Sequence, residues 1–185
     1  MDFKEVISVL WFFLPIGIAN VTPIVVKKIP VIDALAFPLD FHYTVRGKRL
    51  LGDHKTIRGV VTGIIAAIGT VMLQKYFYIH LSAIYDFSTI NYQLINPLVL
   101  GFLSAFGALG GDIIKSFFKR QFCIPSGTSW FPFDQLDYVI GGILCTGLYV
   151  HLRWLEYLFL VIIGFMISMA SSYIGYLLKL KEAPI

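Results

Sequence analysis

Charge is what this sequence has least of. Asp, Glu, Lys and Arg make up 14% of its 185 residues, against roughly 25% in an ordinary soluble domain, so a water-facing globular surface is excluded. Cysteine is scarce too. Cys123 and Cys145 have neither metal-ligand spacing nor a framework pattern, and read as small apolar fillers. No G-x-x-x-x-G-K-[ST] run is present, which excludes a Walker A loop. The first apolar stretch is long and lacks a small-residue cleavage site, so no removable signal peptide is expected. What remains is apolar: 57% of residues are hydrophobic and the mean hydropathy is +0.78. The expectation is one integral membrane domain over 1–185.

The fold class expected is all-α and polytopic. Five apolar segments are long enough to cross roughly 30 Å of hydrocarbon at about 1.5 Å per residue: 5–26, 57–79, 97–119, 134–151 and 154–178. The intervening cytoplasmic loops are 27–56 and 120–133. Lys and Arg set the orientation. Lys27, Lys28, Arg46, Lys48, Arg49, Lys55, Arg58, Lys115, Lys119, Arg120, Lys179 and Lys181 fall on one side, and only Lys4, Lys75 and Arg153 on the other. The positive-inside bias then puts the N-terminus outside and the C-terminus in the cytoplasm. The same bias explains the net charge of +4 without invoking nucleic acid. Loop 80–96 has no Lys or Arg and is aromatic, as an outer interfacial segment is.

Against this background the polar residues stand out. The first segment holds Asn20, Thr22, Pro23 and Lys27; Asn20, Pro23 and Lys27 share a face, and Pro23 cannot donate to Ala19, so the helix is expected to bend or open there. A packing kink with Asn20 bonding a neighbour is the plainer alternative. The loop run Leu51-Gly52-Asp53-His54-Lys55-Thr56-Ile57-Arg58-Gly59 places glycine and cations at a helix start, which suits a polyphosphate; a solvated basic loop that fixes topology is the alternative. In the third span Asp112, Lys115, Ser116 and Lys119 follow at helical spacing on one face. Asp112 falls roughly 10 Å inside the membrane, where an uncompensated charge costs at least about 2.5–3.5 kcal/mol. An Asp112–Lys115 ion pair is the structural alternative. Asp134 and Asp137 open the fourth span on one face. Either they cap the helix, or with Asp112 they form an oxygen-rich site suited to Mg²⁺.

Gly111-Asp112-x-x-x-Ser116-x-x-Lys119-Arg120, then a short Pro-containing loop, then Asp134-x-x-Asp137 together resemble the signature of the membrane CDP-diglyceride synthetases. Within that superfamily the chain is most similar to the archaeal CDP-archaeol synthase branch. That similarity rests on Ala19-Asn20-x-Thr22-Pro23, on Gly47-Lys48-Arg49-x-Leu51-Gly52-Asp53-x-Lys55-Thr56-x-Arg58-Gly59, and on Pro125-Ser126-Gly127-Thr128 with Asp134-Gln135-Leu136-Asp137. The diacyl-lipid enzymes carry Lys-Asp after the Lys-Arg, His-Gly-Gly before the paired aspartates, and Arg where this chain has Gln135. These departures favour the archaeal branch.

The resemblance implies a multi-pass cell-membrane cytidylyltransferase with its active site facing the cytoplasm. CTP and an isoprenoid glycerol phosphate lipid, an unsaturated archaetidic acid, would give CDP-archaeol and pyrophosphate in polar lipid biosynthesis. Asp112, Asp134 and Asp137 would hold Mg²⁺ and, with Lys119, form the catalytic set. Lys55, Thr56, Arg58, Lys115, Ser116, Arg120 and the Ser126, Gly127, Thr128 loop would bind phosphates, and Asn20 and Thr22 would read the nucleotide or line the cavity. Surrounding membrane lipids are the other partners, a homodimer is left open, and no nucleic acid is expected. A small cation or proton transporter using the same aspartates is the competing class. It conflicts with the cations crowded beside the carboxylates and with the lack of an inverted repeat. A CDP-alcohol phosphotransferase would need a longer multi-aspartate motif.

Overall fold

The structure, a computed structural model, describes residues 2–27, 29, 34–45, 47–125 and 128–177. Ser126 and Gly127, along with Lys28, Arg46, Lys179 and Lys181, lie outside the described residues. In chain order the elements are α1 (Phe3–Val26), the strands β1 (Thr44–Val45) and β2 (Lys48–Arg49), α2 (Ile57–His80), α3 (Ser82–Phe87), α4 (Pro97–Gln121), α5 (Phe133–Thr146) and α6 (Trp154–Leu177). Four helices, α1, α2, α4 and α6, are long and apolar enough to cross a membrane among the described residues. The chain is a multi-pass helical membrane protein.

Three features differ from the sequence expectation. The helix in the fourth segment stops at Thr146, and its 14 residues rise only about 21 Å. A turn over 147–150 completes the segment, and Tyr149 Oη there accepts from Asn96 N at 3.0 Å at the start of α4. The segment therefore runs beside α4 from end to end, although only part of it is helical. Second, the basic loop folds back on itself as the short antiparallel pair β1–β2, so the chain is not purely helical. Third, α1 runs unbroken through Pro15 and Pro23. Thr22 Oγ1 donates to Ile18 O at 2.6 Å and Lys27 N to Pro23 O at 3.3 Å, which keeps the turn closed around the missing donor.

Local chemistry fixes the helix ends. Thr56 caps α2 by accepting from Gly59 N at 3.2 Å, and Asn96 caps α4 with Pro97 in the first turn, where a missing N–H leaves no bond unmade. At the other end of α4, Ile124 N reaches back to Lys119 O at 2.9 Å while Cys123 takes φ 60°. That is a Schellman turn with cysteine at the left-handed position that glycine usually fills.

Small residues let the helices approach closely. A Cβ on Gly107 would run into the Gly141 carbonyl, and one on Gly111 into the Asp137 carbonyl. A Cβ on Gly101 would meet the Ile68 backbone of α2. The small-residue stripe of α4 therefore serves two neighbours, α2 and α5. Gly63 faces Ala19 O of α1, where a Cβ would lie 3.1 Å away; this is the carbonyl that Pro23 cannot satisfy. Around these crossings Val9, Phe12, Ile16, Ala67, Leu100, Ala108, Val139 and Leu160 form the buried core.

The two ends of the bundle differ in charge. Glu5 of α1 pairs with Arg153 before α6 at 2.7 Å, Ser8 bonds Thr89 at 2.9 Å, and Lys75 donates to the carbonyls of Gln93 and Ile95. Lys48, Lys55, Lys115 and Lys119 gather at the opposite end.

Candidate active site

Three short segments carry the polar chemistry to the basic end. The loop before α2 ends on Lys55, whose backbone is held from both sides. Leu39 N donates to Lys55 O at 2.7 Å, and Lys55 N donates to Gly52 O at 3.4 Å. The last three turns of α4 supply Asp112, Lys115, Ser116 and Lys119, and the start of α5 supplies Asp134 in its first turn and Asp137 just after it. The glycine crossings described above set the two helices close enough for these side chains to meet.

Lys115 lies at their centre. Its Nζ is 3.1 Å from Asp112 Oδ1, 2.8 Å from Asp134 Oδ1 and 2.9 Å from Asp137 Oδ2. Lys55 pairs with the other oxygen of Asp112. Lys119 Nζ is 3.0 Å from Asp134 Oδ2 and donates to Thr128 O at 2.6 Å. Asp134 Oδ2 also accepts from Trp130 N at 2.7 Å, so it closes the turn before α5 while facing the lysines. Three carboxylates and three ammonium groups thus share one partly buried cluster, with the Lys115 side chain 14% exposed and that of Asp137 5%. The expected Asp112–Lys115 pair is present, but it belongs to a larger network. Among the described residues no group of three His, Cys, Asp or Glu has metal-holding geometry; the Lys115 ammonium lies between the three carboxylates.

Two clefts flank the Lys55–Asp112 pair. One, about 110 Å³ in volume, is lined by Lys55, Lys115, Ser116, Lys119 and Arg120 with Leu51 and His54. The other is mostly apolar, with Pro23, Leu39, Val60, Leu109 and Ile113 around Lys55, Asp112 and His54. Lys55 and His54 belong to both walls. Arg120 Nη2 donates to Pro125 O at 3.2 Å, while its buried Nε has no partner among the described residues.

The remaining sequence candidates are placed as follows. Ser116 Oγ donates to Asp112 O at 2.7 Å within its own helix. Thr56 lines the apolar cleft while capping α2, and Arg58 is buried in the first turn of that helix. Thr128 contributes its carbonyl to Lys119 and its hydroxyl to Pro125 O. Asn20 is half-buried in α1, and the Thr22 hydroxyl is taken by Ile18 O; neither lines the two clefts. Sequence reasoning missed the double role of His54, the Lys48 Nζ bond to Gln121 O at 2.6 Å, and Asp40. Nothing in their spacing signals those contacts.

A polytopic helical bundle with a partly buried charged cluster beside a polar and an apolar cleft has the make-up of a membrane-embedded enzyme. The profile of the CarS-like family, CDP-archaeol synthase, matches residues 3–185, and the chain belongs to that family of membrane nucleotidyltransferases of lipid biosynthesis. Similar proteins include the CDP-archaeol synthase of Saccharolobus islandicus, 33% identical over 177 residues, covering 93% of this chain and 92% of the relative. That of Pyrobaculum aerophilum is 37% identical over 148 residues, covering 80% and 81%, and that of Thermococcus onnurineus is 30% identical over 186 residues, covering 100% and 99%. A solved structure of an intramembrane enzyme for archaeal membrane lipids biosynthesis superposes with a TM-score of 0.69 at 26% identity, covering 90% of this chain and 93% of that one. None of these relatives supports the cation-transporter alternative.

Proposed function

We propose that the chain transfers CMP from CTP to an isoprenoid ether-lipid phosphate, unsaturated archaetidic acid, giving CDP-archaeol and pyrophosphate. One observation carries this reading: Lys55, paired with Asp112, and His54 form a wall shared by a cation-lined cleft and an apolar cleft. A triphosphate suits the first, where Lys115, Lys119, Arg120 and Lys55 converge and Arg120 Nε lacks a partner among the described residues. A lipid phosphate suits the second, with its tails among the apolar side chains of α1, α2 and α4.

In the transfer, an oxygen of the lipid phosphate attacks the α-phosphorus of CTP. The bond from that phosphorus to the bridging oxygen breaks, and pyrophosphate leaves. The nucleophile is already an anion, so no general base is required. The barrier lies in bringing two anions together, and fixed cations are the usual answer in phosphoryl transfer. Lys55, at the shared wall, reaches both reactants. Lys115 and Lys119 exchange their carboxylate partners for phosphate oxygens as the triphosphate enters, and Thr128 O holds Lys119 toward the cleft.

Asp112, Asp134 and Asp137 present hard oxygen donors that suit Mg²⁺, which takes one or two carboxylates with phosphate and water. The ion would be held there once Lys115 turns to phosphate, and it would neutralise charge on the triphosphate. The loop containing Ser126 and Gly127 would add backbone donors.

For topology we propose five crossings, with the segment 133–150 as the fourth, the N-terminus outside, and the active site and C-terminus at the cytoplasmic face of the cell membrane. The end-to-end run of that segment along α4 and the charge asymmetry between the two ends support this. Purified protein with Mg²⁺, CTP and an unsaturated archaeal ether-lipid phosphate should release pyrophosphate and form CDP-lipid, and Asp137→Asn should abolish both. No turnover with any lipid phosphate, or full turnover in Asp137→Asn, sinks the assignment.

A further inference from the structure

We propose that Asp40 is a positioning residue for the nucleotidyl transfer, holding the loop 40–53 in the conformation that delivers Lys55 to Asp112. The kinetic part of this inference rests on the function proposed above; the structural part does not.

The Asp40 side chain is 0% exposed although it lies in a loop outside the helices. Its carboxylate accepts hydrogen bonds from five donors. Arg49 grips it through Nε at 3.1 Å and Nη2 at 2.9 Å, the bidentate geometry that a guanidinium favours. Leu51 N and Gly52 N donate at 3.0 and 3.1 Å, and His42 N donates at 3.2 Å. One side chain therefore gathers the turn that follows it, the second strand of the hairpin and the chain leading into α2.

The path from Asp40 to the cluster is short. Gly52 takes φ 94°, which a side chain would strain. In that conformation its N–H points to Asp40 while its carbonyl accepts from Lys55 N. The other side of Lys55 is fixed by Leu39, the neighbour of Asp40, whose N–H donates to Lys55 O at 2.7 Å. Asp40 thus acts on Lys55 from both directions. Phe41 and His42 both adopt positive φ, 44° and 65°, a conformation that non-glycine residues hold only where the surroundings over-determine it. Asp40 lines neither cleft itself. Leu39, Leu51, His54 and Lys55, which its bonds position, line one or both.

The test uses the whole protein in detergent or nanodiscs. Asp40→Asn, Lys55→Met and the double variant are assayed with CTP and lipid phosphate, and folding is followed by thermal melting. Asp40→Asn is expected to lower kcat/KM for CTP at least tenfold in protein that remains folded at the assay temperature. In the Lys55→Met background it should cost less than a further twofold. Multiplicative losses, wild-type kcat/KM in Asp40→Asn, or losses that follow only the folded fraction overturn the proposal. Arg49→Lys, which removes the two-pronged grip and keeps the charge, should show the same non-additivity if Asp40→Asn does not fold. A second readout needs no turnover. In a Cys123→Ser, Cys145→Ser background, Lys55→Cys and Asp112→Cys should be joined by a short bis-maleimide at least tenfold more slowly when Asp40→Asn is added. Equal cross-linking rates overturn the positioning role. Slowed cross-linking, with no CDP-lipid made by the wild-type protein, leaves that role standing and removes the proposed function instead.

Discussion

Lys115 Nζ lies 2.9 Å from Asp137 Oδ2, across the crossing of α4 and α5. The same ammonium also serves Asp112 and Asp134, so one side chain neutralises acids from two helices. Removing one partner of a buried ion pair costs about 3–5 kcal/mol, and here Lys55 and Lys119 offset part of that. Lys115→Met is therefore expected to lower the melting temperature of metal-free protein by several degrees and to abolish CDP-lipid formation. Millimolar Mg²⁺ alone should restore part of the lost stability, because the vacated centre presents three carboxylates. A variant as stable as the parent and indifferent to Mg²⁺ would falsify the idea that these acids form one cation seat.

The crossing itself is tested at Gly111. A Cβ there would run into the Asp137 carbonyl, and backbone cannot yield as a flexible side chain can. Gly111→Ala should push α4 and α5 apart at the site, at a cost of about 1–3 kcal/mol. It should reduce activity at least tenfold by separating Asp112 from Asp137. Gly110→Ala is the control, since a Cβ at that position meets nothing within 4 Å. Equal behaviour of the two variants in melting and turnover assays would remove the packing argument.

The long helices were legible because an apolar run of span length has few other uses. The shared faces of Asp112, Lys115 and Lys119, and of Asp134 and Asp137, follow from helical spacing alone. That both acidic faces turn to one ammonium does not, because it depends on how closely Gly107 approaches Gly141 in space. The end of α5 at Thr146 was hidden because the apolar run continues through the turn that follows. The β1–β2 hairpin was hidden for the opposite reason: strands of two residues are too short to show any period. Asp40 bonds residues 11 and 12 positions ahead, a reach that neither helix nor strand periodicity encodes. Pro23 predicted an opening that Thr22 and the close contact with α2 make unnecessary.

The acid response of the loop follows from the charge state of Asp40. Burial pushes this carboxyl up, but the Arg49 guanidinium and the N–H groups of Leu51, Gly52 and His42 outweigh it and hold the group well below the usual carboxylate range. A depressed folded-state value means that the stabilisation is fully present above about pH 4, the unfolded value. It is lost as pH falls through the folded value. Hydrogen exchange at the Leu51 and Gly52 amides should accordingly stay protected from neutral pH down to about pH 4 and open only in stronger acid. In Asp40→Asn the same amides should be less protected already at neutral pH and show no acid step. Unchanged protection in that variant would mean that the carboxylate does not hold the loop.

Orientation can be read from cysteines the chain already has. Cys123 is exposed at the turn that ends α4, beside the charged cluster, whereas Cys145 is partly buried near the other end of α5. With the active site on the cytoplasmic face, a membrane-impermeant maleimide should label Cys123 in inside-out vesicles and leave it unlabelled in right-side-out vesicles. Cys123→Ser should remove that labelling, and Cys145→Ser should leave it intact. Labelling of Cys123 from the outside would invert the bundle and place the cation-lined cleft away from cytoplasmic CTP. In that case the charge asymmetry between the two ends would need an origin other than the positive-inside bias.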